Sequence, residues 1–301
     1  MPAVLISEHD SELGRWQVAQ RDAHASLRMF VHGFFASSSE LPRPVFERHL
    51  PSTEVALLLN FGAAHRRSDG EAGWSDHDGA WIVGLHDRAQ RTEAFGERHF
   101  MAVRFTPVGA HLFLGVPMRE LASRAIALAD LDPQLSRRIL GKVGAAKGWS
   151  ARFDAMEALI ADRLDQKSVP DAIVHAWKSI ACREGRVAVA GLAADMEYGQ
   201  RRLATEFHAC VGFSPKTVAR LFRFNRAVRL LNRRVRNAPD KIAGKPYVEA
   251  AAQKDVPAVK IAWADLAAAC GYFDQPHFIR EFRRFSGLTP TAFLRGLSDV
   301  D

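Results

Sequence analysis

The chain has 301 residues but only three cysteines, Cys182, Cys210 and Cys270, with no Cys-x-x-Cys spacing. That scarcity excludes a disulfide framework and a zinc ribbon and points to a reducing compartment. Long apolar runs are missing too. Stretches such as Val55–Leu59 fall far short of the ~18 residues that suggest a membrane span. The opening Met-Pro-Ala-Val-Leu-Ile has no basic flank and meets Glu8, His9 and Asp10 at once, so no secretory signal and no membrane partner are expected, and the expected location is the cytoplasm. No Gly-x-x-x-x-Gly-Lys-Ser/Thr, Gly-x-Ser-x-Gly or His-Glu-x-x-His occurs, which removes the signatures of P-loop, serine-hydrolase and zinc-protease chemistry. What remains is 48% hydrophobic and 25% charged, the proportions of a globular protein with two ordinary domains or one large one.

The net charge of +7 is unevenly placed. Residues 182–301 hold 20 Lys+Arg against 12 Asp+Glu, whereas residues 1–181 hold 21 against 22. Most of the C-terminal cations are arginine, whose planar fork suits phosphate and guanine. A basic part joined to a near-neutral part is the layout of a nucleic-acid binder with an attached control module, although a solvated basic surface would look the same.

The basic part repeats itself. Leu192-Ala-Ala-Asp-Met-Glu-Tyr198, then Leu203, Phe207 and Gly212-Phe-Ser-Pro215, is matched by Leu266-Ala-Ala-Ala-Cys-Gly-Tyr272, then Phe278, Phe282 and Gly287-Leu-Thr-Pro290. The offset is 74 residues up to Tyr272 and 75 beyond it, so the extra residue falls in a turn and leaves both helical registers intact. Each copy reads as a short Ala-rich helix, a turn and a second helix with apolar residues four apart. Asp274 is placed to cap the second helix of copy two, Pro276 is tolerated in its first turn, and Gly212 and Gly287 fit the terminating position where φ turns positive. The outward positions are Gln200, Arg201, Arg202 and Thr205 in copy one and Gln275, Pro276, His277 and Arg280 in copy two. Two short helices with a tight turn, the second bearing exposed Gln, Arg and His, form a helix-turn-helix that reads a major groove.

At this point the residues resemble a family. Phe273-Asp-Gln-Pro-His-Phe-Ile-Arg-Glu-Phe282 with Gly287-Leu-Thr-Pro290, and Arg220-Leu-Phe-Arg-Phe-Asn-Arg-Ala227 with Leu230-Leu231, are similar to AraC-type transcription regulators over roughly residues 182–295. The resemblance implies two helix-turn-helix units on a connecting helix that enter successive major grooves, and an N-terminal domain that binds an effector or mediates dimerisation. Base reading then falls to Gln200, Arg201, Arg202, Thr205, Gln275, His277 and Arg280, and phosphate contact or bracing to Arg220, Arg223, Arg226 and Arg283. Double-stranded DNA is the expected partner and a homodimer the expected assembly, with room for a small-molecule effector of unspecified identity and for RNA polymerase. The chain departs from the family pattern at Glu197 and Gly199, where Gly and a Ser cap are usual, and at Thr205, where Arg is common. The stretch 236–260 is also longer than the usual connection, with loop signals at Asn237-Ala-Pro-Asp, Gly244-Lys-Pro and Val256-Pro257 and a helical turn expected over Val248–Lys254. A methyl-transfer repair protein sharing this DNA-binding unit would need a cysteine cluster ahead of Cys182, and none precedes it.

The first half reads as strands. Val45–Leu50, Thr53–Phe61, Ala80–Leu85, Gln90–Ala94 and His99–Phe105 are rich in β-formers or alternate, with turns at Asn60-Phe61-Gly62 and Gly70-Glu-Ala-Gly73. From Met118 the pattern turns helical: Leu121, Ala125, Leu128, Leu135, Ile139 and Val143, then Phe153 to Leu164, then Ile173 to Ile180. Those helices serve either as a dimer seam or as ordinary core. The expected fold class is α+β: a small antiparallel β-barrel or sandwich with flanking helices, then an all-α DNA-binding domain of two helix-turn-helix units joined by a long helix. The expected divisions are a β-rich sensory domain at 1–116, a helical connector at 117–181 and the DNA-binding domain at 182–301.

Nine of the 12 histidines precede residue 112, which raises a rival reading: a metal-dependent barrel enzyme with a DNA-targeting C-terminal domain. Such a site usually needs His-x-His with a carboxylate and a further His, and no His-x-His occurs. Asp76-His77-Asp78 is the densest ligand cluster, and Trp74, Ser75 and Gly79 around it favour a surface loop. Neither metal nor cofactor is assigned, and the chain is read as a regulator and not an enzyme. Cys270 lies where an Ala-rich helix packs and is expected to be a buried, inert thiol. Trp16, Trp74 and Trp81 with Phe30, Phe34, Phe35, Phe61 and Phe105 either line an apolar pocket or form core.

Overall fold

The computed structural model describes residues 2–11, 14–62, 65–68, 74–164, 168–189, 191–194, 199–236, 247–248 and 261–297. The N-terminal half runs β1 (Leu5–Ser11), β2 (Gly14–Asp22), β3 (Val31–His49), β4 (Val55–Asn60), β5 (His65–Ser68), β6 (Trp74–His77), β7 (Ala80–Val83) and β8 (Gln90–Phe105). After it come α1 (Pro107–Leu114), β9 (Ala125–Ala127), α2 (Leu128–Leu131), α3 (Pro133–Ala145), α4 (Gly148–Leu164) and α5 (Asp171–Cys182). The C-terminal part contains α6 (Gly191–Ala194), α7 (Gln200–Val211), α8 (Pro215–Arg236), β10 (Tyr247–Val248), α9 (Trp263–Ala269), α10 (Gln275–Ser286) and α11 (Pro290–Leu297).

Among the described residues the strands join one antiparallel sheet in the order β1-β2-β3-β8-β4-β7-β9, with β5 on β8 and β6, and β10 on β3. Its spine is the pair β3–β8, and both strands are long enough to change partners along their length. The first half of β3 pairs with β2 and the C-terminal half of β8 with β4, while the other ends take β10 and β5. An irregularity between Leu41 and Val45, opposite Gly96, bends the spine where the partners change. Gly96 has φ 72°, which explains why Gln90–Ala94 and His99–Phe105 read as two strands in the sequence although they are one.

Three further expectations are corrected. The Asp76-His77-Asp78 cluster is not a loop throughout, because Asp76 and His77 lie on β6 in register with Arg66 and His65. Ala125 belongs to a strand, not a helix, so the sheet takes β9 from beyond residue 116. Val248 pairs with Glu47 as part of β10 instead of opening a helical turn, and 249–254 lie outside the described residues, as does the expected turn at Gly70–Gly73. One helix was missed although its signal is plain: Thr106 caps α1, accepting from the Gly109 amide at 3.0 Å, and Pro107 occupies its first turn.

The sheet buries Phe34, Leu57, Leu59, Met101, Val103 and Phe105 against Phe113 of α1, Ile139 of α3, Phe153 and Ile160 of α4 and Ile173 of α5. Phe34, Phe105 and Trp81 are therefore core, whereas Trp74 is exposed. The same core continues without a break into Leu203, Phe207 and Val211 of α7 and Val218 of α8. A second core gathers Leu221, Phe224, Ala227 and Leu231 of α8 with Leu266, Cys270, Tyr272, Phe278, Phe282, Phe285 and Phe293.

One charged cluster lies inside the first core. The Arg21 guanidinium is held by Glu157 at 2.9 Å and by Asp154, and its plane lies over the Phe34 and Phe153 rings at 5.2 and 5.6 Å. Glu157 also accepts from the His24 backbone amide at 2.7 Å. Removing one partner of a buried pair strands the other charge. Glu157→Ala is expected to cost about 3 kcal/mol, the lower end of that range because Asp154 remains, read as the shift in a urea unfolding curve. A shift below about 1 kcal/mol would show that the pair is dispensable.

The loop between β7 and β8 holds His86 against Arg67, with Nε2 to Nη2 at 3.2 Å. Burial, then the charge of Arg67, lowers the His86 pKa to about 3. The folded state therefore favours neutral imidazole. Its stabilising contribution is complete above the unfolded value near 6.5 and is lost as pH falls toward 3. His86→Gln should flatten the fall in Tm between pH 6.5 and 4 relative to the parent protein, and superimposable pH profiles would contradict this.

Candidate nucleic-acid interface

The second unit is built around its turn. After α9, Cys270 is fully buried, and Gly271 takes φ 79°, with a hypothetical Cβ only 2.8 Å from the Arg186 side chain. Both constraints reserve the position for glycine. Tyr272 turns inward and meets Phe278 edge-on at 5.3 Å. Asp274 caps α10 by accepting from the His277 amide at 2.6 Å, and Gly287 ends the helix at φ 76°. Phe278, Phe282 and Phe285 then bury one stripe. Away from that stripe Pro276, Arg280, Arg283 and Arg284 are exposed, while Gln275, the first residue of the helix, is half-buried. His277 is more restrained than its spacing suggested: it lies edge-on to Tyr272 at 5.4 Å and 3.6 Å from Glu281.

The first unit follows the same plan with a simpler cap. Gly199 precedes α7 without a side-chain hydrogen bond, and Gly212 closes it at φ 96°. Leu203 and Phe207 are buried, and Gln200, Arg201, Arg202 and Thr205 are exposed. Two of these already have local partners: Arg202 Nε lies 2.8 Å from Glu206, and the Thr205 hydroxyl donates to the Arg201 carbonyl at 3.0 Å. Glu197 and Tyr198 lie outside the described residues. Ser214 and Thr289 each accept from an amide three residues on and open α8 and α11 ahead of Pro215 and Pro290.

The arginines assigned to phosphate divide into two groups. Arg220 pairs with the buried Glu281, and Arg226 pairs with Glu184 while donating to the Ala269 carbonyl at 3.0 Å. These contacts tie α8 to its neighbours. Arg223 lies over the Tyr272 ring at 5.5 Å, and Arg283 is exposed.

Sequence reasoning missed how firmly both units sit on the N-terminal half. The last carbonyls of a helix lack intrahelical partners. In α10 those of Phe285 and Ser286 are met by the Ala89 amide at 2.8 Å and by Arg48 at 3.2 Å. Arg284 adds an ion pair to Asp87 at 3.2 Å. Leu50 packs against the second core, and β10, from the long stretch between the units, adds a strand beside Glu47 and Arg48. Unit one is seated on the turn Met118–Glu120, where a Cβ on Gly212 would come within 3.0 Å of the Met118 carbonyl. No local pattern marks Arg48, Asp87 or Ala89 for this work, because their partners are about 200 residues away.

The rival metal cluster is engaged otherwise. Asp76 pairs with Arg66 at 3.3 Å, and His77 contacts Ser75 at 3.0 Å and stacks on Trp81 at 4.6 Å. Among the described residues no three His, Cys, Asp or Glu side chains converge as metal ligands. Cys210 and Cys270 are buried and Cys182 is exposed.

Comparison with family models agrees with the helix-turn-helix geometry of unit two. Residues 260–295 match the family described as bacterial regulatory helix-turn-helix proteins, AraC family. Residues 20–127 match a domain of unknown function, DUF6597. No curated protein matches the chain. Among solved structures, ToxT from Vibrio cholerae has a TM-score of 0.42 at 9% identity, over 88% of this chain and 99% of that one. Wild-type ToxT from Vibrio cholerae strain SCE256, bound to an unsaturated fatty acid, gives 0.43 at 11%, over 87% and 94%. Fe(II)-HppE with an alternative substrate gives 0.27 at 9% over 35% of this chain and 58% of that one. The protein is a DNA-binding transcription regulator of the helix-turn-helix class. Its C-terminal helix-turn-helix is of the AraC family, preceded by a domain whose own family has no assigned function.

Proposed function

We propose that α7 and α10 enter successive major grooves on one face of DNA, at a separation set by α8, and that the N-terminal domain controls them. The carrying observation is the amphipathic reading helix of unit two, in which three phenylalanines are buried while Gln275, Pro276 and Arg280 are presented at its N-terminal half. The N-terminal end of a recognition helix is the end that contacts base edges. Gln275 suits adenine and Arg280 suits guanine, each through two hydrogen bonds. His277, backed by Tyr272 and Glu281, is a positioned donor beside them. In unit one Gln200, Arg201, Arg202 and Thr205 take the corresponding places. Arg283 supplies phosphate contact, with Arg223 next to the turn.

The docking of α10 on Arg48, Asp87 and Ala89 supports control through the sheet. A small-molecule effector, or a second copy of the chain, that shifted the ends of β3 and β8 would move the end of a reading helix. A regulator of this kind acts in the cytoplasm and meets RNA polymerase at the promoter; no described helix is long and apolar enough to cross a membrane.

Binding-site selection with the full chain tests the base assignments. Gln275→Ala should relax preference at one position by about 1–3 kcal/mol and leave the others intact, and an unchanged selected site would reject its role. Arg283→Ala should instead weaken all sequences alike and reduce the slope of log affinity against log salt by about 1. An unchanged slope would remove Arg283 from the phosphate set.

A further inference from the structure

The turn ahead of α10 carries a side chain that neither core uses. Phe273 is 93% exposed, and the next most exposed large apolar residue among those described is Ile6 at 58%. Its neighbours explain why the ring stands in water. Tyr272 on one side is anchored in the core, and Asp274 on the other is fixed as the cap. A residue just before a cap commonly packs on the fourth residue of the helix. That residue is Phe278, and its surroundings are already filled by Tyr272 at 5.3 Å, Phe282 at 5.6 Å and Trp263 at 6.3 Å. Phe273 is thus excluded from the one internal site within its reach.

Its position is at the tip of the reading helix, beside Gln275 and Pro276. A benzyl group offers no hydrogen-bond donor or acceptor. Of the features a major groove displays, the one it can engage is the C5-methyl of thymine. We propose that Phe273 is a base-reading residue of the second unit, packing its ring on a thymine methyl at the edge of that unit's subsite. The assignment rests on the DNA-binding reading above and adds to it the readout of an apolar group.

The test uses the full chain and a duplex obtained by binding-site selection, with each thymine replaced singly by deoxyuridine, which deletes only the methyl. One replacement in the second subsite should weaken binding about fourfold, the equivalent of ~0.8 kcal/mol for one buried methyl group. Phe273→Ala should bind the parent duplex at least that much more weakly and should no longer respond to that replacement, while Phe273→Leu should retain part of the response. Because the ring touches neither core, the Tm of Phe273→Ala should equal that of the parent protein. A flat deoxyuridine profile, a profile unaltered by Phe273→Ala, equal weakening on unrelated duplexes, or a lowered Tm would each overturn the assignment while leaving DNA binding in place. Failure of the full chain to select any duplex would instead remove the DNA-binding reading, and this assignment with it.

Discussion

The arrangement depends on α8 serving two cores. Val218 and Ala219 close the core that contains α7, while Leu221, Phe224, Ala227 and Leu231 open the core that contains α10. A helix buried on one stripe can slide or roll on its support. One buried on two stripes against separate bodies cannot, because any roll that relieves one interface strains the other. The arginines on α8 reinforce this. Arg226 and Arg229 converge on Glu184 at the end of α5, and Arg220 reaches Glu281 on α10. The separation between α7 and α10 is therefore a property of packed interiors and not of a linker.

The two units resemble each other in pattern but not in surroundings. The interior of unit one is continuous with the sheet and the helices α1, α3, α4 and α5, so α7 is packed as part of that body. Unit two has an interior of its own and meets the sheet through two carbonyls, one ion pair, a two-residue strand and the Leu50 side chain. Of these, the Arg284–Asp87 ion pair is a surface contact of the kind that is worth little alone, whereas the Phe285 and Ser286 carbonyls belong to buried residues. Under the control proposed above, this contact is where a shift in the sheet would reach α10.

How much of this was legible depended on the range of the interaction. Caps and terminators are local, so Asp274, Gly212, Gly287, Pro215 and Pro290 placed the helices of the repeat directly, and the spacing of Phe278 and Phe282 gave the buried face. β1 was not legible, because Leu5-Ile-Ser-Glu-His-Asp-Ser has no alternation and is held at an edge by pairing with β2 alone. β8 was split by Gly96 and by the polar Glu97 and Arg98, although Arg98 is buried there near Glu47. The contact of α10 with the sheet was invisible for the same reason: Arg48 and Asp87 look like ordinary surface charges until the fold brings α10 to them.

The charge asymmetry was a sound guide to the class of partner but said nothing of how each cation is engaged within the fold. Arginine serves two roles in the C-terminal part. At Arg220, Arg226 and Arg229 it is drawn into pairs with Glu281 and Glu184, where a forked, always-charged group can bridge two elements and still be satisfied. At Arg201, Arg280 and Arg283 it stands exposed on or beside a reading face. Counterion release on DNA binding scales with the phosphates actually neutralised and not with the formal charge of the domain. Under the proposed DNA binding, the arginines paired with Glu281 and Glu184 would have to leave those partners to reach phosphate, so the arginine count alone sets no salt dependence.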